Sequence, residues 1–125
     1  MQRPRLIFTV AALSLASTPA LADPYIACDN GLRCVMAPCP SMNAVNVRTG
    51  EAGRITGVDL DGLAAPERDR IMKSDATSRG TLVLEGAVET QRVKARPGAR
   101  PATVLVVRSI ERRSNWSERR LCSKG

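Results

Sequence analysis

The sequence contains no histidine, which removes the commonest general base at neutral pH and the commonest metal-ligating side chain. Catalysis by Ser-His-Asp or Cys-His arrangements and zinc binding by histidine are therefore excluded. Aromatic residues are also scarce, because Phe8, Tyr25 and Trp116 are the only three in 125 residues. No GxSxG, P-loop or GxGxxG pattern occurs. We therefore expect no catalytic residue, no cofactor and no bound metal ion.

The chain is long enough for one domain and leaves little room for a second. Its formal net charge of +7 is unevenly distributed. Residues 23–90 carry seven basic and ten acidic side chains, a net charge of −3, whereas residues 91–125 carry ten and two, a net charge of +8. The basic character therefore belongs to the C-terminal third of the chain.

Residues 1–22 have the pattern of a secretory signal peptide. Arg3 and Arg5 precede an apolar run over residues 6–15, and Ala20-Leu21-Ala22 ends the segment with small residues at the first and third positions. The apolar run is shorter than the roughly 20 residues that a membrane-spanning helix needs. We predict cleavage after Ala22 and a single periplasmic or secreted domain over residues 23–125.

Four cysteines, an even number, fall in the predicted exported part: Cys28, Cys34, Cys39 and Cys122. Export delivers a chain to an oxidising compartment, so we predict two disulfides. Three pairings are possible, and in each of them Cys122 joins the N-terminal cluster. A four-thiolate zinc site is disfavoured because it usually requires two C-x2-C pairs, and none occurs here.

The patterning predicts a mainly β fold, either a small antiparallel OB-like barrel or an open sandwich with one short helix. Two prolines flank Cys39 and predict a stiff surface loop between Cys28 and Ser41. Trp116 is expected to cover one end of the core, and the alternative is a contact residue among the arginines. We predict four strands, over residues 45–48, 54–60, 80–95 and 102–110. The second strand has a bulge at Gly57, and the third has Leu82, Leu84 and Val88 on one face. We also predict a helix over residues 66–74, with Leu63, Ile71 and Met72 on its apolar face.

The basic C-terminal third predicts a cationic face, and the expected partner is an anionic envelope surface or another exported protein. Nucleic acid is disfavoured, since the predicted strands lack the aromatic side chains on which bases stack. We expect a monomer. The candidate anion-binding residues are Arg92, Lys94, Arg96, Arg100, Arg112, Arg113, Arg119 and Arg120.

Two alternatives to a binding or structural domain remain. In the first, the protein inhibits an exported hydrolase and presents residues 36–42, which begin with Met36 and end with Met42, to the enzyme's cleft. In the second, the protein is an enzyme that uses carboxylates. The second alternative requires Asp59 and Asp61 to converge with Glu67 or Asp69 in one pocket; a turn and the acidic first turn of a helix explain the same residues.

Four short motifs resemble a family of exported bacterial proteins known only as a domain of unknown function. They are a proline-containing C-x4-C segment, an asparagine on the next strand, a Val-Asp-Leu strand end and a Gly-x-Leu-x-x-x-Gly strand. The resemblance covers roughly residues 25–110. It implies a cross-linked β domain outside the cytoplasm and no particular activity. The matching positions are Cys34, Pro38, Cys39, Asn46, residues 58–60 and residues 80–86, and Pro40-Ser41 replaces the glycine pair expected after the second cysteine.

Overall fold

The computed structural model describes residues 22–94 and 98–124. The predicted signal peptide, apart from Ala22, and the candidate anion-binding residue Arg96 lie outside these residues. No helix in the described ranges is both long enough and apolar enough to cross a bilayer.

The described chain is mainly β, as predicted, and its six strands form one sheet in the order β3-β2-β1-β5-β6-β4. Neighbouring strands are antiparallel except β4 and β6, which are parallel. Two short α-helices and a 3₁₀ helix complete the fold, one α-helix more than predicted. The elements are β1 (Asp23–Asp29), β2 (Met42–Asn46), β3 (Ala52–Ile55), β4 (Gly57–Asp59), α1 (Ala65–Lys73), β5 (Leu82–Lys94), β6 (Ala99–Arg113), α2 (Trp116–Arg119) and the 3₁₀ helix (Arg120–Lys124).

The strand predicted over residues 54–60 is interrupted at Thr56, so the predicted bulge at Gly57 is wrong. The segment before Thr56 is β3, which pairs with β2 at one edge of the sheet, and the segment after it is β4, which pairs with β6 at the other edge. The Thr56 N–H donates to the Thr103 carbonyl oxygen at 2.8 Å. Because one residue separates the two edge strands, the sheet curls until its edges approach each other. No ladder joins β3 to β4, and the sheet is therefore open rather than a closed barrel.

Apolar clusters cover both faces of the sheet. Consecutive residues of a strand point to opposite faces, and in β2 Ala44 belongs to one cluster and Val45 to the other. The larger cluster includes Ile71 of α1. The smaller cluster packs against Leu121 and Cys122 of the 3₁₀ helix. The two helical segments therefore protect opposite faces of the same sheet.

The predicted apolar face of α1 is only partly buried. Leu63 and Ile71 are in the core, whereas Met72 is 74% exposed. Pro66 lies in the first turn, where its missing N–H costs no helical hydrogen bond, and Glu67 adds favourable negative charge there. Residues 71 and 72 are about 100° apart on a helix, so burying one leaves the other near solvent.

Val88 does not share the burial of Leu82 and Leu84, although all three lie at alternate positions of β5. The pairing with β6 shifts between Val83 and Leu84 and again between Glu85 and Gly86. The extra residues at these shifts, Glu111 and Arg108, belong to β6, so the two-residue period of β5 itself is kept. Val88 lies beyond Gly86, the last β5 residue that pairs with β1, and is 40% exposed, although Leu84 is fully buried.

A disulfide joins Cys28 of β1 to Cys122 of the 3₁₀ helix, with their Cα atoms 5.6 Å apart. Beside it lies Gly80, whose φ of 63° is in the left-handed region that glycine favours. The Ser114 N–H donates to the Thr81 carbonyl oxygen at 3.0 Å, which holds the start of the tail beside β5. The prediction that Cys122 returns to the N-terminal cysteine cluster is confirmed.

Candidate functional site

The loop over residues 30–41, which we call the closed loop, joins β1 to β2 and is closed at two levels. At its base the Asn30 N–H donates to the Ser41 carbonyl oxygen at 3.0 Å. Nearer its end a disulfide joins Cys34 to Cys39, with their Cα atoms 5.6 Å apart. Both closures restrict the loop before any partner arrives, which lowers the conformational entropy lost on binding.

The side chain of Asn30 holds the base of the closed loop together. Its amide nitrogen donates to the carbonyl oxygens of Pro40 at 2.8 Å and Met42 at 3.2 Å. Its amide oxygen accepts from the Leu32 N–H at 2.9 Å. The Asn30-Gly31 pair indicates a turn in the sequence. That local signal contains nothing about a partner ten residues away, so sequence reasoning missed the wider role of Asn30.

Asp29 closes the turn at the start of the loop. Its carboxylate accepts from the Gly31 N–H at 2.7 Å and forms an ion pair with Arg33 at 3.2 Å. The hydrogen bond from Arg33, followed by the one from Gly31, lowers the pKa of Asp29 below its ordinary value. The first turn of the loop is therefore held most firmly when this carboxyl is ionised.

Val35 and Met36 form the tip of the closed loop. Val35 is fully exposed and Met36 is 55% exposed, although both lie between the linked cysteines. Two neighbouring apolar side chains held out into solvent are unusual on a small domain whose other aliphatic residues mostly form its core. The tip is a surface available for contact with a partner molecule.

A groove of about 890 Å³ lies beside the closed loop. Its floor is formed by residues 56–61, which include β4, an edge strand with no neighbour on its outer side. One wall is the end of the closed loop, another is α1, and the third comes from β5 and β6. The wall residues are Ala37, Pro38, Cys39, Ser41, Arg68, Met72, Gln91, Val93 and Val104.

Asp59 is fixed at the floor of the groove by two hydrogen bonds. The Gln91 side-chain nitrogen donates to one of its carboxylate oxygens at 2.9 Å, and the Asp61 N–H donates to the other at 2.9 Å. The bond from Gln91, followed by the one from Asp61, lowers the pKa of Asp59. The groove therefore contains an oriented, ionised carboxylate with a second aspartate next to it.

The groove brings together only part of the carboxylate set that an acid–base enzyme would use. Asp59 and Asp61 line it, whereas Glu67 and Asp69 do not. Arg68, which lies between those two in the chain, faces the groove instead. Among residues 22–94 and 98–124, no group of three or more Cys, Asp or Glu side chains is placed to hold a metal ion.

The predicted anion-binding residues lie in two separate groups. β5 and β6 form a long hairpin, and one group, the hairpin group, lies beside its turn. The other, the tail group, lies at the far end of β6 and in the helices that follow it. The fourteen residues from position 100 to position 113, thirteen steps along the chain, span about 40 Å of extended strand. The hairpin group is Arg92, Lys94 and Arg100, and the tail group is Arg112, Arg113, Arg119 and Arg120.

Three arginines of the tail group have partners within the domain. Arg112 forms a bidentate pair with Glu118, with N–O distances of 2.6 and 2.7 Å, which raises the pKa of Arg112 and lowers that of Glu118. Arg119 donates to the Ser114 carbonyl oxygen. The Arg120 guanidinium lies 4.7 Å from the ring centroid of Trp116. Trp116 is 65% exposed and so does not cover the core, contrary to the prediction.

Several residues of the family-like motifs have structural roles. The side-chain oxygen of Asn46 accepts from the Arg48 N–H at 2.9 Å and organises the turn between β2 and β3. Val47 and Arg48 thus lie in a turn rather than in the predicted strand. A β-carbon at Gly86 would stand 2.0 Å from the Val106 carbonyl oxygen, so only glycine allows this approach of β5 to β6.

Of three comparisons with known proteins, one gives a match. No curated protein and no solved structure matches the chain significantly. A scan of protein families matches residues 5–110, which contain the closed loop, the groove and both glycines of the β5 motif. The tail that carries Cys122 follows the matched region. The chain therefore belongs to the family described as Domain of unknown function (DUF6748).

Proposed function

We propose that the protein is a non-enzymatic binding domain that acts after export, in the periplasm or outside the cell, and that it attaches to a protein partner. In this proposal Val35 and Met36 insert into an apolar cleft of the partner. The observation that carries the proposal is the exposure of both side chains on a loop closed by a disulfide and by pairing at its base.

The energetics of such a contact are favourable. Burying a valine or methionine side chain contributes about 1.5–3 kcal/mol relative to leaving it in water. A flexible loop would lose part of this gain to ordering, but the closed loop is restrained before contact. The bonds from Asn30 restrain its base in the same way. The two side chains together therefore contribute about 3–6 kcal/mol to a contact, and the restrained loop loses little of it to ordering.

The chemistry around the tip favours a protein over a lipid surface. The closed loop contains no tyrosine or tryptophan, the residues that are enriched where proteins meet the membrane interface. Asp59 and Asp61 line the neighbouring groove, against the single positive charge of Arg68. This net negative charge would be repelled by an anionic bilayer.

Three features support an exported domain. The chain begins with a signal-peptide pattern, and all four cysteines are paired in disulfides, which persist in oxidising compartments. The cross-link between Cys28 and Cys122 also ties the tail to β1, which suits a small domain outside the cytoplasm.

Site-specific photocross-linking tests the proposal. A photoreactive amino acid replaces Val35 in one protein and Val88, an exposed valine in β5, in a matched control. After irradiation in the exported fraction of producing cells, we expect position 35 to give a protein adduct of defined mass that unlabelled wild-type protein suppresses. Position 88 should not give this adduct. The same products at both positions, or adducts with lipid alone at position 35, would contradict the proposal.

An inhibitor of an exported hydrolase is the second candidate, and the covalent closure of the tip favours it. A loop held in one shape by the Cys34–Cys39 disulfide resists rearrangement inside an enzyme's cleft. If the adduct at position 35 is a hydrolase, adding wild-type protein should reduce its turnover. The V35S/M36S variant should reduce it less, and equal inhibition by both proteins would exclude this candidate.

A further inference from the structure

A second cleft lies between the end of α1 and the adjoining ends of β5 and β6, away from the closed loop. Its volume is about 180 Å³, and it is lined by Arg70, Ser74, Thr81, Leu82 and Arg113. Arg113 pairs with Leu82 at the last position of the β5–β6 ladder, while Arg70 comes from the last turn of α1. Two elements far apart in sequence thus bring two arginines to one cleft.

The two arginines lack a protein counter-charge. No acidic side chain lines the cleft. In the part of the chain that the structure describes, neither Arg70 nor Arg113 forms a salt bridge, in contrast to Arg112 beside it. Two like charges facing the same small space repel each other, and an anion between them removes this repulsion. Guanidinium groups bind tetrahedral oxyanions by paired N–H donors.

Thr81 supplies the second indication of a ligand. Its hydroxyl oxygen is buried and has no hydrogen-bond partner among the described residues. A buried hydroxyl that lacks a partner costs about 1–3 kcal/mol, and few such groups persist in folded proteins. The backbone of Thr81 is fixed, because its carbonyl oxygen accepts from the Ser114 N–H at 3.0 Å. Thr81 thus lines the cleft, and its buried hydroxyl has one unused donor.

One carbonyl oxygen in the last turn of α1 is satisfied at this point by Ser74. The Ile71 carbonyl oxygen accepts from the Ser74 N–H at 3.3 Å and from the Ser74 hydroxyl at 3.0 Å. Ser74 thereby satisfies a carbonyl that would otherwise oppose a bound anion. The formal charges of the residues that line the cleft are those of the two arginines.

We propose that this cleft binds a phosphate group, either free inorganic phosphate or the phosphate of a lipid headgroup. Arg70 and Arg113 donate to its oxygens from two sides, and the Thr81 hydroxyl donates to a third. A volume of 180 Å³ equals about six water molecules, enough for one phosphate with part of its hydration. The site is separate from the tip, so it goes beyond the binding role proposed above.

Titration with inorganic phosphate tests the site, with binding followed by calorimetry and by the NMR shift of the Thr81 amide. Arg70→Gln and Arg113→Gln should each weaken binding about tenfold or more, because each removes a charge-assisted hydrogen bond. Arg54→Gln, at an exposed β3 position, removes the same charge elsewhere and should change affinity less than twofold. Equal weakening in all three variants, or no saturable shift at Thr81, would overturn the proposal.

Thr81→Val separates a ligand site from a site occupied by structural water. The proposal predicts that this variant weakens phosphate binding several-fold and leaves the urea midpoint measured without phosphate unchanged or higher, because the lost hydroxyl had no partner. If the variant has a lower midpoint and unchanged phosphate affinity, the hydroxyl serves folding and the proposal fails.

Vesicle binding identifies the source of the phosphate. Wild-type protein is mixed with phosphatidylglycerol vesicles and with phosphatidylcholine vesicles at fixed salt, with and without inorganic phosphate. Binding to the anionic vesicles that phosphate competes away, and that Arg70→Gln and Arg113→Gln weaken, supports a lipid headgroup. Saturable phosphate binding without vesicle binding supports the free ion. Vesicle binding that both variants retain, with no phosphate binding, overturns the site.

Discussion

A β-carbon placed on Gly80 would lie 3.0 Å from the Sγ atom of Cys122. This added β-carbon would also lie 3.2 Å from the side chain of Ile26, and the φ of Gly80 is 63°. The first glycine of the β5 motif therefore does two things. It allows the bend that leads into β5, and it leaves room for the disulfide that fixes the tail.

Gly80→Ala is predicted to destabilise the protein by about 2–4 kcal/mol, the sum of a left-handed backbone penalty and local overpacking. Gly50→Ala is the matched control, since Gly50 has a φ of 78° and nothing within 4 Å of a β-carbon. It should cost only the backbone part, about 1 kcal/mol. Urea unfolding with both disulfides intact measures the difference. Equal losses in the two variants would show that contact with Cys122 is unimportant.

The two disulfides are predicted to contribute unequally to stability. The Cys28–Cys122 bridge spans 94 residues and the Cys34–Cys39 bridge only five. In the chain-entropy model, double serine substitution should cost about 4–5 kcal/mol for the long bridge and about 2 kcal/mol for the short one. Denaturation of the two double variants provides the test. A larger loss from the short bridge would contradict this account of how each cross-link acts.

Asn30→Ala is predicted to loosen the closed loop while leaving the sheet folded. The substitution removes side-chain bonds to the Pro40 and Met42 carbonyl oxygens and to the Leu32 N–H. Hydrogen exchange at Leu32 should become at least tenfold faster, with little change at Leu84 in the core. Asn115→Ala, which removes the N-cap of α2, serves as the control and should leave the Leu32 rate unchanged. If the exchange rate at Leu32 is unchanged in Asn30→Ala, the Asn30 side chain does not hold the closed loop together.

Glu118 is predicted to contribute to the acid sensitivity of the fold. Hydrogen bonding to Arg112 lowers its pKa in the folded state, so its contribution is present above the unfolded pKa and is lost as pH falls through the folded value. Glu118→Gln should therefore reduce the decline of unfolding free energy below about pH 4.3, the ordinary glutamate pKa. Glu89→Gln is the charge-matched control on an exposed strand position. If unfolding free energy falls equally steeply with decreasing pH in both variants, Glu118 does not contribute to the acid sensitivity as predicted.

Local patterns predicted the fold class and the approximate place of α1, because alternation and a proline at a helix start act over a few residues. The break at Thr56 was not predictable in this way. Residues 54–60 have the composition of one strand, and only the pairing of β3 and β4 with different partners divides them. The exposure of Val88 has a similar cause, since β1 pairs with β5 only as far as Gly86.

The candidate sites were predictable only in part. The cysteine and proline spacing predicted a stiff loop near Cys39, and the structure adds the exposure of Val35 and the support from Asn30. Arg113 was among the predicted anion-binding residues, but its neighbour Arg70 belongs to a helix in the acidic part of the chain. Their proximity depends on how α1 packs against the sheet, and no sequence period contains that information.

Affinity for the partner cross-linked at position 35 tests the central claim most directly. The V35S/M36S double variant and the Val88→Ser control are compared with wild-type protein by calorimetry. Loss of two buried aliphatic contacts, at about 1.5–3 kcal/mol each, predicts at least a hundredfold weaker binding for the double variant. The Val88→Ser control should bind within twofold of wild type. Equal affinity of the double variant and wild type would contradict the claim that the tip is the binding surface.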